Sequence, residues 1–195
     1  FPYRYDQASL RLLMKSIKRV DAVFTWFASP FSAMAVKLAH RRGIPSIIVA
    51  GGFDVANYSP LRHGARYRPI QKHFIKYALE ACDLVLPVSA FNQKELLAFA
   101  SPKAYRMVYN GVDLDFSTPT PPLDKRLNQV VTVGSVDRHY SRLKGHFNFA
   151  ELANRLGDQA RFILIGPIKH KSTMLRLQRI ADGKIEFQGY QRHDQ

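Results

Sequence analysis

Cysteine and tryptophan each occur once in the 195 residues. The lone Cys82, in EACDLVLPVS between a helical pattern and an apolar strand, excludes a disulfide framework and a cysteine-built zinc centre. It reads as a small core hydrophobe. Acid is also scarce: 15 Asp and Glu stand against 29 Lys and Arg, a formal charge of +14. That imbalance favours nucleic acid, an acidic membrane surface or phosphorylated small molecules as partners. Long apolar runs are missing, since AVFTWFA and SIIVA fall far short of the roughly 20 residues that cross a bilayer. No internal repeat and no low-complexity tract occurs. FPYRYDQ carries neither an initiator methionine nor a charged, apolar and small-residue signal pattern, so we expect an internal piece of a longer protein. What remains is ample: 46% hydrophobic and 12% aromatic residues suffice for a packed core.

Elements alternate along the chain. Leu10, Leu13, Met14 and Ile17 recur at helical spacing, and DAVFTWF reads as a strand. Ser29 and Pro30 supply an N-cap and first helical residue, and Gly43 sits where a C-terminal cap belongs before the strand SIIVA. In RYRPIQKHFIKYALEA, Ile70, Phe74, Tyr77, Ala78 and Ala81 mark one helix face, and the strand DLVLPVS follows. Ser89 caps AFNQKELLAFA, and YRMVY gives a short strand ending at the turn NGVD. Near-continuous apolar strands alternating with helices predict parallel sheets covered on both faces. The three prolines of residues 117–129 break this rhythm. We therefore expect an N-terminal domain over 1–117, a linker over 118–129 and a C-terminal domain over 130–195, both domains incomplete.

The second domain restarts with VVTVGSVDRHYSRLKGHFNFAELA: a buried strand (Val130, Val131, Val133), Gly134, a basic loop, then Gly145 opening a helix. RFILIG and IEFQG supply two more strands. Three loops each begin with glycine and carry cations: Gly134 to Lys144, Gly166 to Lys171 and Gly189 to Arg192. In open α/β sheets such loops gather at the carboxyl ends of the strands and receive anions on helix N-termini. Taken singly they are ordinary turns with solvated charge; three at one edge point to a phosphate-bearing ligand. Neither Gly-x-x-x-x-Gly-Lys-Ser/Thr nor Gly-x-Gly-x-x-Gly is present, which counts against ATP hydrolysis and simple dinucleotide binding.

These residues resemble a family. VGSVDRHYSRLKGHFNFAELANRL, RFILIG and IEFQGYQ are similar to the donor-binding half of the group 1 (family four) glycosyltransferases, and VYNGVDLDFS and DLVLPVSAFNQKEL resemble the end of their N-terminal domain. The resemblance implies a GT-B architecture of two Rossmann-like, doubly wound parallel-sheet domains facing across a cleft. It also implies transfer of a hexosyl group from a nucleotide-diphosphate sugar to a glycan or lipid-linked saccharide, with retention, as in polysaccharide biosynthesis. Lys144 matches the lysine that pairs with the donor diphosphate, where a fixed ammonium stabilises the departing charge. No metal and no cofactor beyond the sugar nucleotide is then expected. The implied donor-binding residues are Gly134, Ser135, Arg138, Arg142, Lys144, Gly166, Gly189, Tyr190 and Gln191. Ser135 stands where the family usually has arginine, and Arg138 or Arg142 is positioned to replace that contact. The family's two glutamates seven residues apart do not occur before Gln195, so we expect this piece alone to be inactive.

On the acceptor side, Gly51, Gly52 and Asp54 stand where the family often reads His-Gly-x-Asp, without the histidine. Asp54 is a candidate for orienting an acceptor hydroxyl, or else a loop-capping carboxylate. Arg62, Arg66 and Arg68, with Lys72 and Lys76, form the densest cationic stretch, with no acid between 62 and 76. Five unpaired cations suit a lipid-linked acceptor at an acidic leaflet, and hence a cytoplasmic protein peripheral to the inner membrane face. Two other readings stay open: a non-catalytic α/β module that binds nucleic acid or another polyanion, with Tyr67, Phe74 and Tyr77 stacking on bases, and a non-catalytic glycosyltransferase-like subunit. Phe74 and Tyr77 fall on the apolar helix face, which favours core packing over base stacking.

Overall fold

The computed structural model describes residues 10–112 and 128–192. The chain divides into two compact units, Phe1–Asp113 and Leu114–Gln195. The division falls beside the Pro-rich segment, most of which lies outside the described residues.

Unit 1 runs α1 (Leu10–Ser16), a 3-10 turn (Ile17–Arg19), β1 (Val23–Trp26), α2 (Pro30–His40), β2 (Ser46–Ala50), two further 3-10 turns, α3 (Gln71–Ala81), β3 (Leu84–Pro87) and α4 (Ala90–Phe99). Local chemistry sets the helix starts. Ser29 Oγ accepts the Ser32 N–H at 3.1 Å in a capping box with Pro30 at the first helical position, and Ser89 Oγ accepts the Asn92 N–H at 3.1 Å. The strands pair in parallel in the order β1-β2-β3, with Trp26 opposite Val49 and Ala50 opposite Pro87. The core collects Val36, Ile48, Leu79, Val85 and Leu96, all fully buried. Each such side chain contributes about 1.5–3 kcal/mol by leaving water. Asp83 ties the far ends of β2 and β3: its Oδ2 accepts the Ser46 N–H at 2.8 Å and the Ser46 hydroxyl at 2.9 Å.

Unit 2 repeats the plan with β4 (Gln129–Val133), α5 (Tyr140–Leu143), α6 (His146–Leu156), β5 (Arg161–Ile165), α7 (Lys171–Ile180) and β6 (Ile185–Gly189). Its strands are parallel in the order β4-β5-β6, with Val133 opposite Ile165 and Ile165 opposite Gly189. Phe162 and Leu164 form its core with Val136, Leu177 and Ile185. Two parallel three-stranded sheets, each with helices packed on it, make the α/β class predicted from the alternation.

Four expectations need correcting. β4 is not a buried strand: Val131 and Val133 are 46% and 68% exposed, because β4 is an edge strand whose alternate side chains point away from the helices. β1 behaves likewise, with Phe24 and Trp26 exposed. The buried face of α3 carries Ile75, Ala78 and Leu79, whereas Ile70, Phe74 and Tyr77 lie on its exposed side. The three core residues sit within about a 100° arc, and that arc, not the aromatic one, is the face α3 buries. YRMVY makes a single parallel bridge, Val85 with Tyr105, although Arg106 and Val108 also donate to β3 carbonyls. Lastly, the basic loop after Gly134 contains the short helix α5, which the charged sequence concealed.

Candidate functional site

The carboxyl ends of β4, β5 and β6 form one edge, and a glycine stands at each. Gly134 N–H donates to Ile165 O at 2.9 Å, and Gly166 N–H donates to Gly189 O at 2.6 Å. Gly166 has φ +148, and a β-carbon on it would overlap the Gly134 carbonyl. Beside this edge lies a cavity of about 930 Å³ lined by Gly134, Ser135, Gly166, Tyr190 and Gln191, together with Glu186 and Arg192. Five of the nine predicted donor residues therefore meet in one hollow.

Arg138, Arg142 and Lys144 are not in its lining; they belong to the loop and short helix that follow Gly134. The Lys144 side chain lies along Gly134, its Cγ 3.5 Å from where a β-carbon there would sit. Among the described residues no ion pair holds Lys144 or Arg142. Arg138 Nε donates to His170 Nε2 at 2.8 Å and so joins the β4 loop to the β5 loop, while His170 Nδ1 donates to Thr173 Oγ1 at 2.7 Å.

Ser135, the departure from the family pattern, has a local task. Its hydroxyl donates to Asp137 Oδ2 at 3.2 Å, and Asp137 Oδ1 accepts the N–H groups of His139 at 2.9 Å and Tyr140 at 2.7 Å. Partial burial pushes the Asp137 carboxyl up, but these three bonds and Lys169 outweigh it and hold the group below the ordinary carboxylate range. Asp137 thus shapes the turn that opens α5, a role that an aspartate in VDRHY signals in retrospect.

His146, the first residue of α6, is wholly buried beneath this loop. Its Nδ1 lies 3.3 Å from Ser141 Oγ, and its Nε2 makes no hydrogen bond. That nitrogen stands 3.0 Å from the point a Gly134 β-carbon would occupy. Burial lowers its pKa, Asp137 opposes this, and Lys144 adds to it. Sequence reading missed His146 because a histidine after Lys-Gly looks like an exposed first-turn residue. It also missed Glu186, which accepts from Gln188 Nε2 at 2.8 Å and Arg161 Nη2 at 2.7 Å and sits below its usual range for those two reasons.

In unit 1 the predicted acceptor-side residues separate. Asp54 is 1% exposed; its Oδ2 accepts the Ala28 N–H at 3.0 Å and its Oδ1 the Gly52 N–H at 2.9 Å. It is the loop-capping carboxylate of the two alternatives, because a group so enclosed has no face left for an acceptor hydroxyl. Arg66 is not an unpaired cation: its guanidinium is 3.3 Å from Glu95 Oε2 and lies over the Phe99 ring at 5.1 Å. Lys76 pairs with Glu80 at 3.6 Å, while Arg62 and Arg68 are exposed. Glu80 is the i,i+4 neighbour of Lys76 on α3, within reach of helical spacing, whereas Glu95 is distant in sequence and only the fold brings it to Arg66.

Against solved structures the chain is similar to a mutant of S. aureus TarM in complex with fondaparinux, α-GlcNAc-glycerol and UDP, with a TM-score of 0.66 at 12% identity over 94% of this chain and 36% of that one. It is also similar to the apo lipopolysaccharide outer core galactosyltransferase WaaB, with a TM-score of 0.54 at 14% identity over 94% and 48%. A third likeness is S. aureus MnaA with UDP, with a TM-score of 0.50 at 18% identity over 97% and 55%. The chain thus spans between 36% and 55% of the length of these structures. No curated protein matches it. These likenesses show a GT-B fold of Rossmann-like α/β units. The model of glycosyltransferase family 4 matches residues 2–116, more than half of the chain, and the chain belongs to that family.

Proposed function

We propose that this chain is part of an enzyme that transfers a hexosyl group from a nucleotide-diphosphate sugar to a saccharide or lipid-linked saccharide. The observation that carries this reading is the edge of unit 2, where Gly134, Gly166 and Gly189 close on one another beside a 930 Å³ hollow and Lys144 lies along the first of them. Glycines let a diphosphate approach the backbone, and the first turn of α6 offers N–H groups that have no partner within the helix. Lys144, with Arg138 and Arg142 nearby in the chain, neutralises the charge that gathers on the leaving diphosphate, the task a divalent cation performs elsewhere. Tyr190 and Gln191 line the same hollow, which supports a contact with the nucleoside. The family relation favours retention of configuration.

Exposed Ile70, Phe74 and Tyr77, and the exposed cations Arg62, Arg68 and Lys76 of the same stretch of sequence, support a peripheral place for unit 1 at an acidic membrane face. The test of the donor reading is calorimetric titration of UDP, GDP and their sugars. Saturable binding that is weakened in Lys144→Ala is expected, and absence of binding by every nucleotide would sink the reading.

A further inference from the structure

Phe27 is the residue after β1, at the carboxyl edge of unit 1, and its φ is +64. A bulky L-residue adopts this left-handed conformation only against a steric cost, which glycine avoids and asparagine tolerates. Arg62 and Asp182 also have positive φ, but each closes a tight turn between elements. Phe27 is instead held from three sides. Its N–H continues the ladder to Val49 O at 2.9 Å. The next N–H, that of Ala28, is fixed by Asp54, which grips Gly52 with its other oxygen. Gly51 leaves the space in which the Phe27 ring lies, since a β-carbon there would overlap the ring.

This arrangement does not bury the ring: Phe27 is 51% exposed. The Trp26 indole, 60% exposed, lies 6.1 Å from it at a 43° tilt. Both rings border a cavity of about 1000 Å³, and among the described residues no charged side chain is in its lining although the chain carries 29 Lys and Arg. A strained, fixed, exposed aromatic on an uncharged wall has the chemistry of a platform for a neutral ligand.

We propose that the Phe27 ring is the surface on which a pyranose ring of the acceptor stacks, making it a specificity-determining residue; this rests on the glycosyl-transfer reading above. The C–H face of a sugar meets the aromatic face while its hydroxyls stay in water, and no ion partner is demanded. A phosphate or a nucleic-acid backbone would find no cation among the described residues of this wall.

Trp26 is the chain's only tryptophan, so its emission reports on this spot without a label. Titration with methyl α-glucopyranoside, methyl α-galactopyranoside and methyl N-acetyl-α-glucosaminide should shift that emission saturably for at least one sugar. Phe27→Gly and Phe27→Asn, which accept left-handed backbone, should weaken the response roughly three- to tenfold. Their thermal midpoint should hold or rise, and Phe27→Tyr should preserve both binding and midpoint. A ring with only a structural task gives the reverse, a lowered midpoint with unchanged binding, and that result overturns the proposal. So does the absence of a saturable response to all three sugars in the wild type. Titrating UDP and GDP into the same samples keeps the readings apart: diphosphate binding without sugar binding overturns the role of Phe27 alone, and sugar binding without diphosphate binding overturns the donor reading alone.

Discussion

Gly166 is pressed against the backbone of Gly134: the place of its missing β-carbon is filled by the Gly134 carbonyl, while its own N–H reaches Gly189 O. Three strand ends are locked by one glycine. Gly166→Ala should force β4 and β5 apart at the site edge, since both the contact and the φ of +148 oppose a side chain. The expected loss is about 2 kcal/mol or more in urea unfolding, with nucleotide binding weakened further than stability alone explains.

Lys144 lies along Gly134 with no carboxylate partner among the described residues, so its charge is available to a ligand. Lys144→Ala should weaken nucleoside diphosphate binding by about ten- to a hundredfold in calorimetry and leave the thermal midpoint nearly unchanged. Arg138→Ala should lower both binding and midpoint, because its bond to His170 joins two loops.

Asp54 gives a prediction with a sign. Burial raises its pKa, against backbone N–H bonds that pull it down, and the net direction is upward. An acid with a raised folded pKa takes up protons on folding, so its contribution to stability falls as pH rises from the unfolded value through the folded one. Asp54→Asn should remove that slope, and it should cost about 1–3 kcal/mol because one of the two buried N–H groups then faces an amide donor. Thermal unfolding across the acidic range checks both effects.

Cys82 is fully buried between α3 and β3, and burial, with Asp83 next to it, pushes its thiol up to about 11. The native protein should therefore resist a thiol reagent at about pH 8, and denaturation should release one equivalent. Prompt labelling of the native chain would contradict the packing described for unit 1.

Much of the fold was legible because its signals are local. Ser29, Pro30 and Ser89 start their helices by bonds within one turn, and the apolar runs 46–50 and 161–165 form the central strands of their sheets. Reading failed where burial depends on which side another element covers. VVTV and VFTW look like buried strands, yet each is an edge, and an edge shows only half its side chains to the helices. On α3 the expected core face is right in Ala78 but sets Phe74 and Tyr77 with it, whereas the core takes up Ile75 and Leu79 beside Ala78.

The sequence by itself determined the α/β rhythm, the three glycine-led loops and the family motifs around Lys144, because each is set by residues near in the chain. Tertiary structure alone decided the rest. It turned Asp54 from a candidate site carboxylate into a clamp on two loops, paired Arg66 with Glu95, and set the buried His146 against Gly134. Each of these depends on strands and loops distant in sequence being brought within hydrogen-bond or van der Waals reach. Short-range patterning does not encode such distances, since they follow from how parallel strands stack and which glycine lets the next one approach.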